Sequence, residues 1–177
     1  MIPPAARRTA PLRPQLPLLD RLIDDSTEQP SPGDTMATLR NSVRRDLEAL
    51  LNARRRWRPP PAHLSELKTS AIGYGIPDFT AGVLNDPKQR ETLRAEIEAT
   101  IRRFEPRLAM LSVSVIDGRG ALEPVLRLRI EALLHAEPAD EPIAFDTLVD
   151  ATTAEVTVRA PGIRESGMRE TGIRENV

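Results

Sequence analysis

The chain has 177 residues, of which 40% are hydrophobic, and a formal net charge of −1 at pH 7. This length allows one compact domain with looser ends, and it is sufficient to bury a core without disulfides or a structural metal. The absence of cysteine excludes disulfides and thiolate metal sites, and the chain contains no run of about 18 apolar residues that could span a bilayer. The basic N-terminus lacks the apolar stretch of a signal peptide, so a cytoplasmic protein is expected.

Charge is divided unevenly along the chain. Residues 1–60 hold 11 arginines and 7 acids, a net of +4, whereas residues 61–177 hold 14 basic and 19 acidic groups, a net of −5. The two parts are therefore expected to face different partners. Nucleic acid is not an expected partner, because the chain has no net positive charge and the arginines at 54–58 suit the C-terminal end of a helix dipole.

The first 34 residues predict an arm and a linker. A short amphipathic patch at residues 18–23 is too short to form a stable helix alone, and we expect it to dock on the domain. Residues 26–34 have the composition of a linker. The preceding segment is predicted to be extended or disordered because it is rich in proline: Pro3, Pro4, Pro11, Pro14 and Pro17.

A long helix is predicted to follow, capped by Asp34 or Thr35 and ending at about Trp57. Three consecutive prolines at 59–61 end it, since proline lacks the N–H group and restricts the residue before it. A short turn or helix is expected at 64–71. The predicted buried face of the long helix consists of apolar residues at helical spacing: Met36, Leu39, Val43, Leu47, Leu50 and Leu51.

A second helix is predicted after a loop with the sequence GYGIPDF. Asp86 supplies a capping carboxylate and Pro87 suits the first helical position. Glu105 and Pro106 end this helix. Its predicted buried stripe is Leu93, Ile97, Ile101 and Phe104.

Beyond residue 106 the apolar period changes from 3.6 to 2, which predicts an antiparallel sheet. Apolar residues alternate with polar ones at 111–115 and at 126–131, with a turn at 117–120 between them. Two further strands are predicted at 143–149 and 154–158, around a turn near 150–153. The predicted fold is therefore α+β, with N-terminal helices packed on a small antiparallel sheet over residues 35–160.

The tail at residues 161–177 repeats a unit of five residues, GIRES, GMRET and GIREN. The apolar position of each unit drifts around a helix, and a glycine in each unit weakens a helix further. We expect a disordered tail, with a partner-binding tail as the alternative.

Four stretches form an ordered set along the chain: 18–22 (LLDRL), 42–55 (SVRRDLEALLNARR), 74–79 (YGIPDF) and 101–108 (IRRFEPRL). Together they resemble the TssE family, the gp25-like baseplate subunits of bacterial type VI secretion systems. The last stretch contains the Glu-Pro-Arg signature of that family. The resemblance covers residues 18–160 and leaves out the proline-rich arm and the repeat tail.

The resemblance implies a structural subunit of the baseplate wedge rather than an enzyme. The baseplate is the cytoplasmic platform, docked at the inner face of the inner membrane, on which a contractile sheath polymerises. The implied partners are the wedge subunits TssF, TssG and TssK and the sheath proteins TssB and TssC. No cofactor, metal or membrane insertion is expected.

Glu105, Pro106 and Arg107 are the first candidate site for protein binding. Proline makes the corner between helix and strand stiff, and a stiff corner can hold a carboxylate and a guanidinium in set directions. A plain structural corner is the alternative. The other candidates for protein binding are Arg44, Arg45, Tyr74 and Asp78, although the loop that carries the last two also has the composition of a packed turn.

The predicted sheet suggests a second site. An open edge presents unpaired N–H and C=O groups to which another chain can add a strand. The sheath-nucleating domain of the TssE family resembles a sheath handshake fold. This resemblance suggests strand exchange between the sheet edge and the first sheath ring. The alternative is an edge covered by the protein's own loops or termini.

A muramidase-like glycoside hydrolase acting on peptidoglycan is the rival function. That chemistry needs two carboxylates about 5–5.5 Å or about 6.5–9.5 Å apart, one of them with a raised pKa. Glu66, Asp78 and Glu105 are available, but no pattern pairs them. His63 and His135 lack the spacing of metal ligands.

Overall fold

A computed structural model describes residues 22, 32–55, 61, 63–79, 86–116, 125–137 and 139–161. These residues form a four-stranded antiparallel sheet, in the order β1-β2-β3-β4, together with helices. The architecture confirms the predicted α+β fold. Its elements in chain order are α1 (Pro32–Asn52), a short 3-10 helix (Ser65–Lys68), α2 (Pro87–Phe104), β1 (Leu108–Val115), β2 (Val125–Leu134), β3 (Glu141–Asp150) and β4 (Glu155–Arg159).

The core lies between the two helices and one face of the sheet. Helix α1 packs next to β4 and helix α2 packs next to β1. The predicted apolar faces of both helices meet alternate residues of the strands in one cluster, in which Leu47, Ile97 and Leu128 are completely buried. Full burial of such a side chain contributes about 1.5–3 kcal/mol. The other face of the sheet carries half-buried and exposed residues.

Helix α2 begins and ends where the sequence predicts. The Lys88 N–H donates to Asp86 Oδ1 at 2.9 Å, and Pro87 occupies the first helical position. At the other end the Glu105 N–H donates to the Ile101 carbonyl at 2.8 Å, after which the chain leaves the helix. Both signals are local, which explains why the prediction is confirmed.

Helix α1 differs from its prediction at both ends. It begins at Pro32 rather than at residue 34 or 35, a start that is compatible with the tolerance for proline at the first helical position. It ends at Asn52, five residues before Trp57. The predicted end was wrong because the backbone after Asn52 pairs with a distant loop instead of continuing the helix.

That pairing joins the end of α1 to the 74–79 loop. The Ile76 N–H donates to the Ala53 carbonyl at 3.1 Å, and the Arg55 N–H donates to the Ile76 carbonyl at 2.9 Å. Gly75 makes the approach possible, because its φ is +96° and a Cβ there would lie 2.3 Å from the Ala53 carbonyl oxygen. A loop without glycine at this position could not reach the helix end.

The predicted β3–β4 turn is present at residues 151–154, where Asp150 Oδ1 accepts hydrogen bonds from the N–H groups of Thr152 and Thr153. The proline-rich arm, the 117–120 turn and the repeat tail from residue 162 lie outside the described residues. Only Leu22 of the 18–23 patch is described, and it is helical and 71% exposed. No helix in the described part of the chain is long and apolar enough to cross a membrane.

Candidate protein-binding site at the helix-to-sheet corner

The chain passes from α2 into β1 through a tight turn at residues 105–108. The Leu108 N–H donates to the Glu105 carbonyl at 3.2 Å, and Pro106 occupies the second position of the turn, which its fixed φ suits. The His135 N–H donates to the Arg107 carbonyl at 2.8 Å and ties the turn to the end of β2. The tight corner between helix and strand that the sequence predicts is therefore present.

Glu105 and Arg107 bind each other. Arg107 Nε donates to Glu105 Oε1 at 2.6 Å and Arg107 Nη2 donates to Glu105 Oε2 at 2.5 Å, a two-pronged geometry that suits the planar guanidinium. The Glu105 side chain is only 6% exposed, and a charge buried this deeply requires a partner. The pair is therefore an internal part of the corner rather than two free groups.

Asp46 of α1 completes the cluster. Arg107 Nη2 donates to Asp46 Oδ2 at 2.6 Å, and Arg45 Nε lies 3.7 Å from Asp46 Oδ1. The hydrogen bonds to Glu105 raise the pKa of Arg107 against the effect of burial, and Asp46 raises it further. Arg107 thus remains charged and joins α1 to the corner between α2 and β1.

Tyr74 lies over the same corner. Its ring meets Phe104 edge to face, with 5.3 Å between centroids and 74° between planes. Burial raises the pKa of Tyr74, and the nearby carboxylates of Asp46 and Glu105 raise it further. The side chain nevertheless keeps 38% of its surface exposed, so it contributes to the outer surface of the corner.

The structure brings five of the seven predicted residues together and adds two that the sequence analysis missed. Asp46 precedes the core residue Leu47, but no local pattern links it to a partner 61 positions away. The helical spacing predicts only a core position for Phe104. We call the assembled group the corner cluster; it consists of Arg45, Asp46, Tyr74, Phe104, Glu105, Pro106 and Arg107.

Arg44 lies outside the corner cluster, at the outer edge of β4. Arg44 Nη1 donates to the Val158 carbonyl at 3.3 Å, and the Val158 N–H donates to Glu48 Oε1 at 3.4 Å. Asn52 Nδ2 donates to the Val156 carbonyl at 2.7 Å, and the Val156 N–H donates to Asn52 Oδ1 at 2.9 Å. Polar side chains four residues apart on α1 therefore occupy the outward N–H and C=O groups of both valines; we call Arg44, Glu48 and Asn52 the β4 cap.

The outer edge of β1 is covered in a similar way by α2. Arg94 Nη1 donates to the Val113 carbonyl at 3.0 Å, and Arg102 Nη2 donates to the Leu111 carbonyl at 3.2 Å. Burial alone would raise the pKa of Glu98, but the hydrogen bonds from Arg102 and Arg94 outweigh it and lower the pKa. The expectation of an open edge is wrong for these backbone groups, because helix side chains rather than loops or termini cover them.

Asp78 also lies apart from the corner cluster, next to Arg54. Arg54 Nη1 donates to the Leu51 carbonyl at 2.9 Å, Nη2 donates to the Ala154 carbonyl, and the guanidinium carbon lies 4.6 Å from the centroid of the Phe79 ring. Burial lowers the pKa of Arg54 and Asp78 opposes that change. Arg54 thus joins the end of α1 to the 74–79 loop and the β3–β4 turn, a role that the sequence analysis did not predict.

Two carboxylates do converge in the corner cluster, those of Asp46 and Glu105, but both accept hydrogen bonds from the same nitrogen of Arg107. The guanidinium thus lies between them, where a glycoside hydrolase would hold its sugar or water. Glu66 and Asp78 are exposed. His135 Nδ1 lies 2.8 Å from Asp140 Oδ1, and the described residues contain no group of three or more His, Cys, Asp and Glu that could hold a metal ion.

The domain is small and consists of two helices packed on one face of an antiparallel sheet. An internal ion pair fixes the corner between α2 and β1, so the arrangement is that of a structural domain. The family model of baseplate wedge protein gp25 matches residues 37–139, more than half of the 177-residue chain. The chain therefore belongs to the gp25 baseplate wedge family, which includes the TssE subunits. The match runs from α1 through β2 and contains the whole corner cluster. No curated protein sequence matches the chain.

Proposed function

We propose that the protein is a wedge subunit of a type VI secretion baseplate. It binds the wedge subunits TssF, TssG and TssK, links them to the first ring of the sheath proteins TssB and TssC, and helps to nucleate sheath assembly. It acts in the cytoplasm, at the inner face of the inner membrane. Family membership supports the structural role in a baseplate, and the four ordered stretches that resemble TssE support the secretion system.

The corner cluster is the observation that carries this proposal. Glu105 and Arg107 set its shape from inside, while Arg45, Tyr74 and Pro106 remain accessible at its surface. Arginine and tyrosine are enriched where protein interfaces are strongest. We therefore assign contact with wedge partners to the three accessible residues, and a positioning role to the buried pair.

Co-purification with the wedge subunits tests this assignment. Arg45→Ala combined with Tyr74→Ala is expected to abolish recovery of the wedge partners while circular dichroism shows an intact fold. Lys88→Ala with Gln89→Ala, two exposed positions at the other end of α2, is the matched control and should leave recovery unchanged. Normal recovery of all wedge partners by the Arg45/Tyr74 variant would contradict the proposed surface.

A second variant tests the buried pair. Glu105→Ala with Arg107→Ala removes both charges together, so neither is left without its partner inside the corner. The domain is expected to fold, but its altered corner should fail to enter the baseplate. Unchanged recovery of wedge partners with this folded variant would show that the Glu-Pro-Arg corner is not used in assembly.

Sheath nucleation has a separate test, because an incoming strand must displace the helix side chains that cover an edge. Val158 in β4 directs its N–H outward to Glu48, and the Val113 carbonyl in β1 faces outward to Arg94, so proline at either position leaves the internal ladder of the sheet in place. Val113→Pro or Val158→Pro is expected to reduce the number of sheaths in cells that carry a fluorescent sheath protein, with wedge binding retained. Sheaths of normal number and length in both variants would exclude strand addition.

A further inference from the structure

Strand β4 is complementary to itself. Its sequence is Glu-Val-Thr-Val-Arg from Glu155 to Arg159. In an antiparallel pair of two copies centred on Thr157, Val156 of one copy therefore lies opposite Val158 of the second copy. The same register faces Glu155 of one copy with Arg159 of the second copy, twice. Opposite charges directly across an antiparallel pair stabilise it, and a two-fold axis generates both contacts at once.

The backbone groups that such a pair would use are those that the β4 cap occupies. In an antiparallel ladder, a hydrogen-bonded pair of residues exchanges both N–H···O=C bonds. With the axis at Thr157, Val156 of one copy and Val158 of the other form such pairs, through their outward N–H and C=O groups. The β4 cap binds all four of these groups within one chain.

The side-chain amide of Asn52 makes the same kind of hydrogen bonds to β4 as the backbone of a neighbouring strand would make. A primary amide carries both a donor and an acceptor, as a peptide unit does. Asn52 uses both on the same residue, accepting from the Val156 N–H at 2.9 Å and donating to the Val156 carbonyl at 2.7 Å. It thus makes the two bonds that a facing strand residue would make.

The β1 edge has an additional protection that β4 lacks. Its register with β2 shifts between Ala109 and Ser112, and Met110 there has a φ of 49°. A bulge of this kind bends an edge strand and disfavours pairing with another chain. The register between β4 and β3 is continuous from Glu155 to Arg159, so protection of β4 depends more on the side chains over it.

We propose that the β4 cap prevents antiparallel pairing of β4 with β4 of a second copy of this chain. The cap satisfies the edge within the monomer, so association must first break its four hydrogen bonds. This property concerns contact between copies of the chain and does not depend on the baseplate role.

Opening the edge tests the proposal in the full-length chain. Asn52→Ala with Glu48→Ala removes three of the four bonds and keeps good helix formers in α1. Analytical ultracentrifugation is expected to show dimers, with a self-association constant raised by about tenfold or more over the wild-type chain, which corresponds to about 1.4 kcal/mol. Lys88→Ala with Gln89→Ala, exposed polar residues at the start of α2, is the matched control and should remain like the wild type.

Charge reversal identifies the strand that pairs. In the opened variant, Arg159→Glu should abolish the dimer, because two glutamates then face each other at both ends of the pair. Adding Glu155→Arg should restore it, because the opposite charges are regained in swapped positions. The proposal would be overturned if the opened variant formed dimers whose stability is unchanged by both charge substitutions. It would also be overturned if the wild-type chain, with its cap intact, formed dimers whose stability changes with those substitutions.

Hydrogen exchange of the β4 amides tests whether the edge is open in the variant. If the opened variant stays monomeric while the amides of Val156 and Val158 exchange faster than in the wild type, the edge is open and does not pair, and the proposal fails. If the double variant does not fold, Asn52→Ala alone leaves Arg44 and Glu48 in place. This single variant should raise self-association less but in the same direction, and an unchanged association constant would again overturn the proposal.

Discussion

Arg107 holds Glu105 through two hydrogen bonds, from Nε to Oε1 at 2.6 Å and from Nη2 to Oε2 at 2.5 Å. The same Nη2 donates to Asp46 Oδ2 at 2.6 Å. One guanidinium thereby joins helix α1 to the turn between α2 and β1. Because Glu105 is almost completely buried, the corner depends on this arginine for its stability as well as for its shape.

Removing the arginine should therefore destabilise the protein strongly. Arg107→Ala is expected to lower the free energy of unfolding by about 3 kcal/mol, measured by urea denaturation, because the Glu105 charge is left buried without the guanidinium. Arg107→Lys should fall between this variant and the wild type, since an ammonium cannot bind both carboxylate oxygens in the same plane.

Arg40→Ala is the control for that loss. Arg40 also pairs with a carboxylate, that of Glu141, but its side chain is 48% exposed. The expected loss is about 1 kcal/mol or less. Equal losses for Arg40→Ala and Arg107→Ala would contradict the importance of burial at the corner.

Tyr74 provides a spectroscopic report on the corner cluster, because it is the only tyrosine in the chain. Absorbance of the phenolate should give a pKa above the ordinary value of 10.0 in the folded protein. Asp46→Asn should move the pKa of Tyr74 back toward that value, because it removes one of the two carboxylates that oppose ionisation.

The same shift predicts the direction of a pH effect on stability. The folded state disfavours the phenolate, so the contribution of Tyr74 is fully present below its ordinary pKa and is lost as the pH rises through the raised one. Tyr74→Phe should therefore flatten the decline of unfolding free energy above pH 10.0. If the pKa of Tyr74 lies at its ordinary value and does not change in the Asp46→Asn variant, Tyr74 does not lie close to Asp46 and Glu105.

Gly75 tests the contact that ends α1. Gly75→Ala is expected to cost about 2 kcal/mol or more of unfolding free energy, because the new Cβ meets the Ala53 carbonyl oxygen and the backbone has a positive φ. Gly75→Asn separates the two causes, since asparagine tolerates positive φ but still carries a Cβ. Recovery of wild-type stability by asparagine would show that the close approach to Ala53 is not the constraint.

Arg54 should contribute more than an ordinary exposed arginine. Arg54→Ala is expected to lower the unfolding free energy by about 1–2 kcal/mol, because it removes the stacking on Phe79 and the hydrogen bonds to the carbonyls of Leu51 and Ala154. Thermal and urea unfolding measure the change. Arg103→Ala, at an exposed position of α2, is the control, and an equal effect of the two substitutions would contradict the role of Arg54.

Much of the fold could be predicted because its signals are local. The Asp86-Pro87 start of α2, its end at Glu105 and the alternation of strand residues each depend on neighbours within one or two turns of the chain. The Glu-Pro-Arg corner was predicted as a stiff element for the same reason. The end of α1 was predicted wrongly, because it depends on Ile76 and Gly75 in a loop that the helix sequence does not specify.

By itself, the sequence determined the helices, the strands and the stiff corner, since periodicity, capping and proline act through adjacent residues. Only the tertiary structure decided how the polar groups are paired. Asp46 meets Arg107 across 61 positions and Asn52 meets Val156 across 104, so the ion pairs of Arg107 with Asp46 and Glu105 and the covered sheet edge arise only when the helices dock. Docking decides these contacts because a polar side chain near a buried backbone group must find a partner, and the partner is whatever the packed fold brings within hydrogen-bonding distance.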